Sequence, residues 1–331
     1  MNILFVCKFF PIQGGEATKA YWLTKALASF GHKIIIITDT SHYNNEQLCI
    51  LSPNDKIFLS GITLIDNKNT GMTLENTIKE TCLHYNIQII VGWYLFPYAL
   101  TAIHTGLSLN IPVVIQHAGS DIKKLLNMPQ EEKEHIVQII NRANFMLSYP
   151  NTENLLKEIG IKKIQINTPV IPIQYFKKTK DNNGRFLILG AKNKSKNYNN
   201  IKENSIFHKI SIDWFGIGET FKNEYFNSYQ SIAPWNIPDL ISQYKGIIYS
   251  ENNFNVSIHE SRIPLEAMAG NKVVFMDNET AKHYLYDNII SFNDFGKLKN
   301  IETKSFFIDE CDDSIWYEDF EYRLLKTKTN A

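Results

Sequence analysis

The sequence predicts an α/β protein with two doubly wound parallel sheets, forming two Rossmann-like domains that face a cleft. Its 331 residues are too many for one ordinary hydrophobic core, and 44% of them are hydrophobic. Apolar runs such as residues 33–38 are continuous rather than alternating, as expected of strands buried on both faces of a parallel sheet. Helical patterns such as residues 16–30 lie between these runs, which indicates repeated β-α-β units.

Each element in the first half follows from a local pattern. The first predicted helix carries Ala20, Leu23, Leu27 and Phe30 on one stripe, and Gly31 marks its end. Residues 41–76 show no clear pattern and receive no assignment. The predicted strands are residues 2–7, 33–38, 88–92, 111–116 and 145–148, and the predicted helices are residues 16–30, 98–109 and 131–143.

The second half repeats the alternation after a segment whose composition is typical of a linker. Pro169, Pro172 and the polar residues 177–184 suit a border between domains. The second half is short, which leaves little room for a long helix after Lys196. The predicted strands are residues 185–190, 210–215, 246–250 and 272–276, and the predicted helices are residues 264–269 and 314–325. The predicted domains are residues 1–172 and 173–310. A C-terminal helix within residues 311–331 is expected to return to the first domain.

Composition excludes several classes of protein. The formal net charge is zero, with 34 basic and 34 acidic residues, and no basic block marks a nucleic-acid partner. The four cysteines lie far apart, so no zinc site or redox pair is expected and a reducing cytoplasm fits. No run of 18 apolar residues occurs, so we expect a soluble, cytoplasmic protein. A peripheral contact with the inner face of the membrane stays open.

The most informative segment is residues 258–270, which leads into a predicted strand. Glu260 and Glu266 flank Pro264, and proline is favoured at the first position of a helix. Glu266 then falls in the first turn, and the helix N-terminus becomes a place where an anion can bind. A phosphate there, with a carboxylate on either side for hydroxyl groups, would suit a sugar nucleotide. The alternative is a glutamate that only favours the start of the helix.

Other loops follow predicted strands, where ligands bind in open parallel sheets. Gly14 and Gly15 allow the backbone to approach a ligand closely. His117 could bond a sugar hydroxyl and Asp121 could orient an acceptor, or the two residues could be a structural histidine and a helix cap. Trp93, after the strand at 88–92, could stack on a ring or belong to the core.

A basic loop follows the first strand of the second half. Lys192, Lys194 and Lys196 could neutralise a diphosphate leaving group or could be solvated side chains. The dinucleotide fingerprint G-x-G-x-x-G is absent after the first strand, and Phe221 replaces its third glycine after Gly216 and Gly218. A nicotinamide or flavin oxidoreductase is therefore a weak alternative.

Taken together, these motifs resemble the retaining GT-B glycosyltransferases, in particular the large family that builds bacterial glycans from nucleotide sugars. The resemblance covers most of the chain. It rests on Phe10-Pro11 with Gly14-Gly15 and Gly31-His32, on Phe96-Pro97 and Ile111-Pro112, on the loop His117-Ala-Gly-Ser-Asp121, on the basic loop 190–196, and on Glu260 to Gly270 with its Glu-Ala-Met-Ala run.

The resemblance implies a role for each site residue. Glu266 would hold the ribose hydroxyls of a UDP- or GDP-sugar, and Glu260 would contact the donor sugar. The family commonly works without a metal, and its acceptors are glycans or lipid-linked saccharides. The diphosphate would contact Lys192 or Lys196 and the backbone of Ile263, Pro264 and Leu265. Gly15 would approach the donor phosphates, and His117 would contact the transferred sugar.

The chain departs from the family pattern between the two glutamates. Only five residues, 261–265, separate Glu260 from Glu266, which is shorter than usual, and Ser261-Arg262 replaces the usual glycine. Arg262 would then supply a phosphate contact that the family makes with its backbone. Two other hypotheses stay open beside a hexosyltransferase: a nucleotide-sugar epimerase on the same scaffold, and a non-catalytic GT-B-like subunit that binds a partner enzyme or glycan.

Overall fold

The fold is that of a two-unit α/β protein. In a computed structural model, the described residues fall into two compact units, one within residues 1–169 together with the C-terminal helix Ser314–Thr329, the other within residues 170–255 and 261–313. The structure describes residues 1–9, 15–38, 62–66, 72–149, 152–166, 171, 173–176, 183–251, 261–282, 289–292, 295–300 and 314–329.

The first unit is built on a parallel sheet. Among the described residues this sheet has seven strands in the order β3-β2-β1-β4-β5-β6-β7, and every neighbouring pair is parallel. This is the strand order of a doubly wound Rossmann fold, in which the order reverses between β1 and β4. The strands are β1 (Asn2–Val6), β2 (Lys33–Thr38), β3 (Ile62–Asp66), β4 (Ile89–Trp93), β5 (Val113–Gln116), β6 (Phe145–Ser148) and β7 (Ile164–Ile166).

The second unit repeats this topology. In the part that the structure describes, its sheet follows the order β10-β11-β9-β8-β12-β13-β14, with only the short edge pair β10 and β11 antiparallel. The order reverses between β8 and β12. The strands are β8 (Phe186–Leu189), β9 (Ile212–Phe215), β10 (Phe221–Lys222), β11 (Phe226–Tyr229), β12 (Gly246–Tyr249), β13 (Val273–Asp277) and β14 (Ile289–Phe292).

The central strands form because nearly all their side chains are apolar and buried. The residues Ile34 to Ile37 in β2 have no exposed surface, and neither do Val274 to Met276 in β13. Such runs can be covered only where helices pack on both faces of a sheet, which is the doubly wound arrangement. The prediction of two Rossmann-like sheets in an α/β chain is therefore confirmed.

The C-terminal helix packs in the first unit through both apolar and polar contacts. Its residues Phe320 and Leu324 are buried. The carboxylate of Glu321 lies 2.7 Å from Nε2 of His32, and Arg323 donates to the side chain of Gln165 at 2.9 Å. The helices of this unit are α1 (Gly15–Ser29), α2 (Met72–Tyr85), α3 (Leu100–Leu109), α4 (Ser120–Leu126), α5 (Gln130–Ile140) and α6 (Glu153–Glu158), and the C-terminal helix is α12.

The second unit contains one helix that contradicts the sequence analysis. Helix α8 (Tyr198–His208) begins two residues after Lys196, so the expectation of little room there is wrong. Its apolar stripe is weak, because only Ile201 and Ser205 are buried, and this explains why the pattern was missed. The other helices of the unit are α7 (Ile173–Phe176), α9 (Ile237–Ser242), α10 (Arg262–Ala269) and α11 (Asn278–Ala281).

Candidate functional site

Two places in this fold are predisposed to bind ligands. In open α/β sheets, the loops that follow two neighbouring strands diverge where the strand order reverses, and ligands bind in the crevice that this creates. In the first unit this switch point lies at the ends of β1 and β4, and in the second unit at the ends of β8 and β12. Candidate site residues lie at both of these edges, each within its own unit.

At the second unit's switch point, glycines bring two loops close together. Gly190 ends β8 with a φ of 126°, a backbone conformation that favours glycine. A Cβ on Gly216, at the end of β9, would lie 1.7 Å from the carbonyl oxygen of Gly190. The indole of Trp214 donates to that same carbonyl oxygen at 2.8 Å. This contact fixes where the basic loop leaves the sheet.

Lys192 is held by the loop that follows β9. Its ammonium donates to the backbone carbonyl oxygen of Glu219 at 2.8 Å, and its own N–H donates to the carbonyl of Ile217 at 2.9 Å. Partial burial lowers the pKa of the Lys192 ammonium. Lys192 and the exposed Lys194 line an open cavity of about 420 Å³ beside the start of α8.

Lys196 lies across the switch point and contacts the end of β12. Its ammonium forms an ion pair with Glu251 at 2.7 Å and a hydrogen bond with the hydroxyl of Tyr249 at 3.0 Å. The ammonium also lies 4.4 Å from the centroid of the Tyr249 ring. Burial lowers the pKa of Lys196, and the charge of Glu251 opposes that shift. Sequence analysis did not single out Glu251, although its position directly after an apolar strand was a usable signal.

Helix α10 begins earlier than the sequence analysis expected. Ser261 is its N-cap, and the Ser261 hydroxyl accepts from the N–H of Ile263. Pro264 is therefore the third helical residue rather than the first, and Glu266 lies in the second turn. A proline is tolerated there because the first four N–H groups of a helix have no partner within it. Since Pro264 has no N–H, the backbone offers fewer donors to an anion here than expected.

Glu266 is a buried carboxylate, with 2% of its surface exposed. One of its oxygens lies 3.3 Å from Nε of Arg262, one turn earlier on the same helix, and the Arg262 side chain is buried as well. The start of α10 adjoins the basic loop, because a Cβ on Gly190 would lie 3.9 Å from the side chain of Ile263. The loop after β8 thus lies against the start of α10, whereas Glu260 and Gly14 lie outside the described residues.

In the first unit, Asp121 ties two strand-end loops together. Its carboxylate accepts from the backbone N–H groups of Ala118, Ile122 and Leu95 at 2.8 to 3.1 Å. Leu95 follows β4, whereas Asp121 lies in the first turn of α4, after β5. Burial raises the pKa of Asp121 to about 6, although these hydrogen bonds oppose the shift. The N-cap of α4 is Gly119, so Asp121 does not cap the helix but joins the two loops through their backbone N–H groups.

This raised pKa predicts a pH dependence of stability. A carboxyl that titrates near pH 4 when unfolded and near 6 when folded binds more protons in the folded state between those values. Its contribution is greatest below about pH 4 and falls by about 3 kcal/mol as the pH rises through about 6. Urea denaturation at both pH values should show this loss in the native chain and not in Asp121→Asn. Equal pH slopes in the two proteins would contradict the assignment.

His117 is fully buried beside Asp121. Its Nδ1 accepts from the N–H of Gly119 at 3.2 Å, so Nε2 carries the proton and faces the hydroxyl of Ser148 at 3.1 Å. The ring also packs edge-on against Tyr149, with centroids 5.5 Å apart. Both ring nitrogens are thus engaged within the first unit, at the carboxyl ends of β5 and β6.

A buried cluster of polar side chains at the first switch point escaped the sequence analysis. Lys19 in α1 is 6% exposed, and its ammonium bonds Glu16 at 2.8 Å and the hydroxyl of Tyr149. The other oxygen of Glu16 accepts from the indole of Trp93, the last residue of β4, at 2.6 Å. Gly15, just before Glu16, is exposed, and a Cβ there would meet no described atom within 4 Å. Helix α1 thereby contributes one basic and one acidic group to this edge.

No group of three or more His, Cys, Asp or Glu side chains in the described ranges is arranged to hold a metal ion. None of the helices described here is both long and apolar enough to cross a membrane.

Comparison with known proteins identifies the fold. No family model matches the chain, and no curated protein matches its sequence. Among solved structures, the chain is similar to a UDP-GlcNAc 2-epimerase from Methanocaldococcus jannaschii, with 14% identity, a TM-score of 0.60, and coverage of 98% of this chain and 100% of the other. It is also similar to AviGT4, a glycosyltransferase involved in avilamycin A biosynthesis, with 8% identity, a TM-score of 0.60, and coverage of 100% and 99%.

A third similar structure is an α-glucosyltransferase in complex with UDP, with 12% identity, a TM-score of 0.57, and coverage of 99% of this chain and 91% of the other. Because all three identities are low, these similarities establish the architecture alone. It is the GT-B type of two Rossmann-like domains, which glycosyltransferases and UDP-GlcNAc 2-epimerases share.

Proposed function

We propose that this chain is a glycosyltransferase. It moves a hexose-type sugar from a nucleoside diphosphate, UDP or GDP, to a hydroxyl of a glycan or lipid-linked saccharide, with retention of anomeric configuration. The observation that carries the proposal is the group of charged side chains at the second switch point, where Lys196 and the start of α10 adjoin the same loop. Structural similarity to a glucosyltransferase in complex with UDP supports a nucleotide donor.

The second unit binds the donor nucleotide in this proposal. Glu266 accepts from the ribose hydroxyls, and Arg262, held against it, contributes a phosphate contact. Lys196 and Lys192 balance the charge that develops on the leaving diphosphate. Transfer needs positioning of the two substrates and stabilisation of this charge, rather than a strong protein nucleophile.

The first unit binds the acceptor side. In this proposal Gly15 approaches the donor phosphates with its backbone and His117 contacts the transferred sugar, while Glu260, which precedes α10 in the sequence, contacts the donor sugar. Because Nε2 of His117 carries the proton and faces the hydroxyl of Ser148, the proposed contact requires that a sugar hydroxyl replace Ser148 as the partner of Nε2. Asp121 acts as a positioning residue that holds the His117 loop against the loop after β4.

Nucleotide binding is the first test of this proposal. Titration calorimetry with UDP and GDP should show that one of them binds to the full chain with a dissociation constant in about the micromolar range. A matched titration of Lys192→Met should show weaker binding, because the variant removes one positive charge near the diphosphate. Absence of binding to both nucleotides would instead favour the non-catalytic subunit.

A second candidate function is a nucleotide-sugar epimerase. The buried set of Glu16, Lys19 and Tyr149 supports it, because removing and returning a sugar proton needs acid and base groups protected from water. The structural similarity to UDP-GlcNAc 2-epimerases favours it as well. Incubating the chain with UDP-GlcNAc and no acceptor separates the two functions. An epimerised nucleotide sugar in the NMR spectrum would establish this candidate in place of the transferase.

A further inference from the structure

The ion pair between Lys196 and Glu251 bridges the two loops that diverge at the second switch point. Lys196 follows β8 and Glu251 follows β12, so the pair spans the crevice in which such sheets bind ligands. Its ammonium and carboxylate are 2.7 Å apart, and about four-fifths or more of each side chain is buried. The carboxylate of Glu251 is therefore already paired with Lys196, a lysine that could bind a phosphate.

Neighbouring hydrogen bonds fix Glu251 in this place. Its Oε2 accepts from both Lys196 and the hydroxyl of Tyr249, while its backbone N–H donates to the hydroxyl of Thr280 at 3.1 Å. The preceding residue, Ser250, donates to Asp277 at 2.7 Å. The carboxylate is consequently attached to a rigid strand end and has little freedom to move away when an anion approaches.

We propose that Glu251 competes with the donor diphosphate for Lys196 and thereby weakens the binding of phosphate ligands at this switch point. This rests on the proposed function, in which Lys196 contacts the diphosphate. A bound diphosphate must share the lysine with Glu251 or displace it, and it is also repelled by the carboxylate. Glu251 thus lowers the affinity for any phosphate ligand that contacts Lys196.

The physical basis is the strength of charge interactions in a partly buried site. Two like charges several ångströms apart interact by a few kcal/mol at the effective dielectric of a protein edge, where solvent screening is weaker than in water. Removing the charge of Glu251 also leaves the ammonium of Lys196 without its carboxylate partner. Both effects favour a bound anion, and we expect them to raise affinity about tenfold.

The test is titration calorimetry of the full chain with UDP and with inorganic pyrophosphate. The variants are Glu251→Gln, Lys196→Met and the double variant, with Glu203→Gln as the matched control. Glu203 is an exposed carboxylate on α8, so its replacement changes the net charge by the same amount without touching the pair. A melting curve for each variant verifies that it is folded at the titration temperature.

We expect Glu251→Gln to bind both probes about tenfold more tightly than the native chain, and Glu203→Gln to bind them with native affinity. In the Lys196→Met background, the additional change at Glu251 should have a smaller effect than in the native chain, because only the direct repulsion between Glu251 and the anion is then removed. Unchanged or weaker binding by Glu251→Gln would overturn the proposal, as would an equal gain in the Glu203→Gln control.

The two probes separate this inference from the proposed function. If pyrophosphate responds to Glu251→Gln as expected while UDP and GDP fail to bind any variant, the inference stands and the proposed function falls. If UDP binds and the affinities for UDP and pyrophosphate are both unchanged in Glu251→Gln, the inference falls and the proposed function stands. Failure of every variant to bind either probe or GDP overturns both.

Discussion

Glu266→Gln is expected to weaken binding of the donor nucleotide about a hundredfold. An ionised carboxylate accepts two hydroxyl groups, and each such charged hydrogen bond contributes about 1.5–3 kcal/mol. The amide that replaces it keeps the shape, but it turns one acceptor into a donor and removes the charge. Because Glu266 is buried beside Arg262, water cannot readily take over the lost contact. Calorimetry with UDP or GDP, whichever binds the native chain, measures the loss.

The control for Glu266 must separate binding from folding. Glu279→Gln changes an exposed carboxylate on α11 in the same unit and should leave nucleotide affinity unchanged. A melting temperature for Glu266→Gln close to that of the native chain would show that the weaker binding is local. Native affinity in a folded Glu266→Gln chain would exclude Glu266 from the ribose site.

Replacing Arg185 with methionine should destabilise the second unit by about 4 kcal/mol, because it leaves a buried carboxylate without its cation. The guanidinium of Arg185 contacts Asp213 through Nε at 2.9 Å and through a terminal nitrogen at 2.7 Å. The same carboxylate accepts from the hydroxyl of Tyr244 at 2.9 Å and from Asn227 at 3.1 Å. These contacts lie at the amino-terminal ends of β8 and β9, away from the switch point.

Urea denaturation followed by circular dichroism measures this loss, and Arg142→Met is the matched control. Arg142 is exposed, so the same substitution there should change stability by less than about 0.5 kcal/mol. The switch point is intact in Arg185→Met, so the folded fraction should bind nucleotide with native affinity. A loss no greater than that of Arg142→Met would mean that the pair contributes little to stability.

Much of the fold was predictable because its central strands are continuous runs of apolar residues. Continuous apolar runs such as residues 33–38 and 272–276 identify strands that are covered on both faces. Short elements on the edges escaped prediction, among them β7 and β10, because three residues or fewer carry no period. Helix α10 was found, but its start was misplaced, since Ser261 offered a capping hydroxyl before the proline.

The candidate site was predictable only in part, for a different physical reason. Lys196 and Glu266 lie in segments that local composition marks as loops or helix starts. Glu251 and Lys19 gain their importance from contacts with Lys196 and Tyr149, which are distant in sequence. Such contacts depend on which strands are neighbours in a sheet, and a strand order is not encoded in any single segment.

The most direct test of the central claim is the fate of a nucleotide sugar. The purified chain is incubated with UDP-glucose, UDP-GlcNAc and GDP-mannose in turn, each with a panel of glycan and lipid-linked acceptors, and phosphorus and proton NMR follow the products. The proposed transferase would release free UDP or GDP in step with a new glycosidic bond, which the proposal expects to keep the donor's anomeric configuration, and Glu266→Gln should slow this release about a hundredfold. An epimerised sugar still attached to its nucleotide, or no turnover of any donor, would contradict the claim.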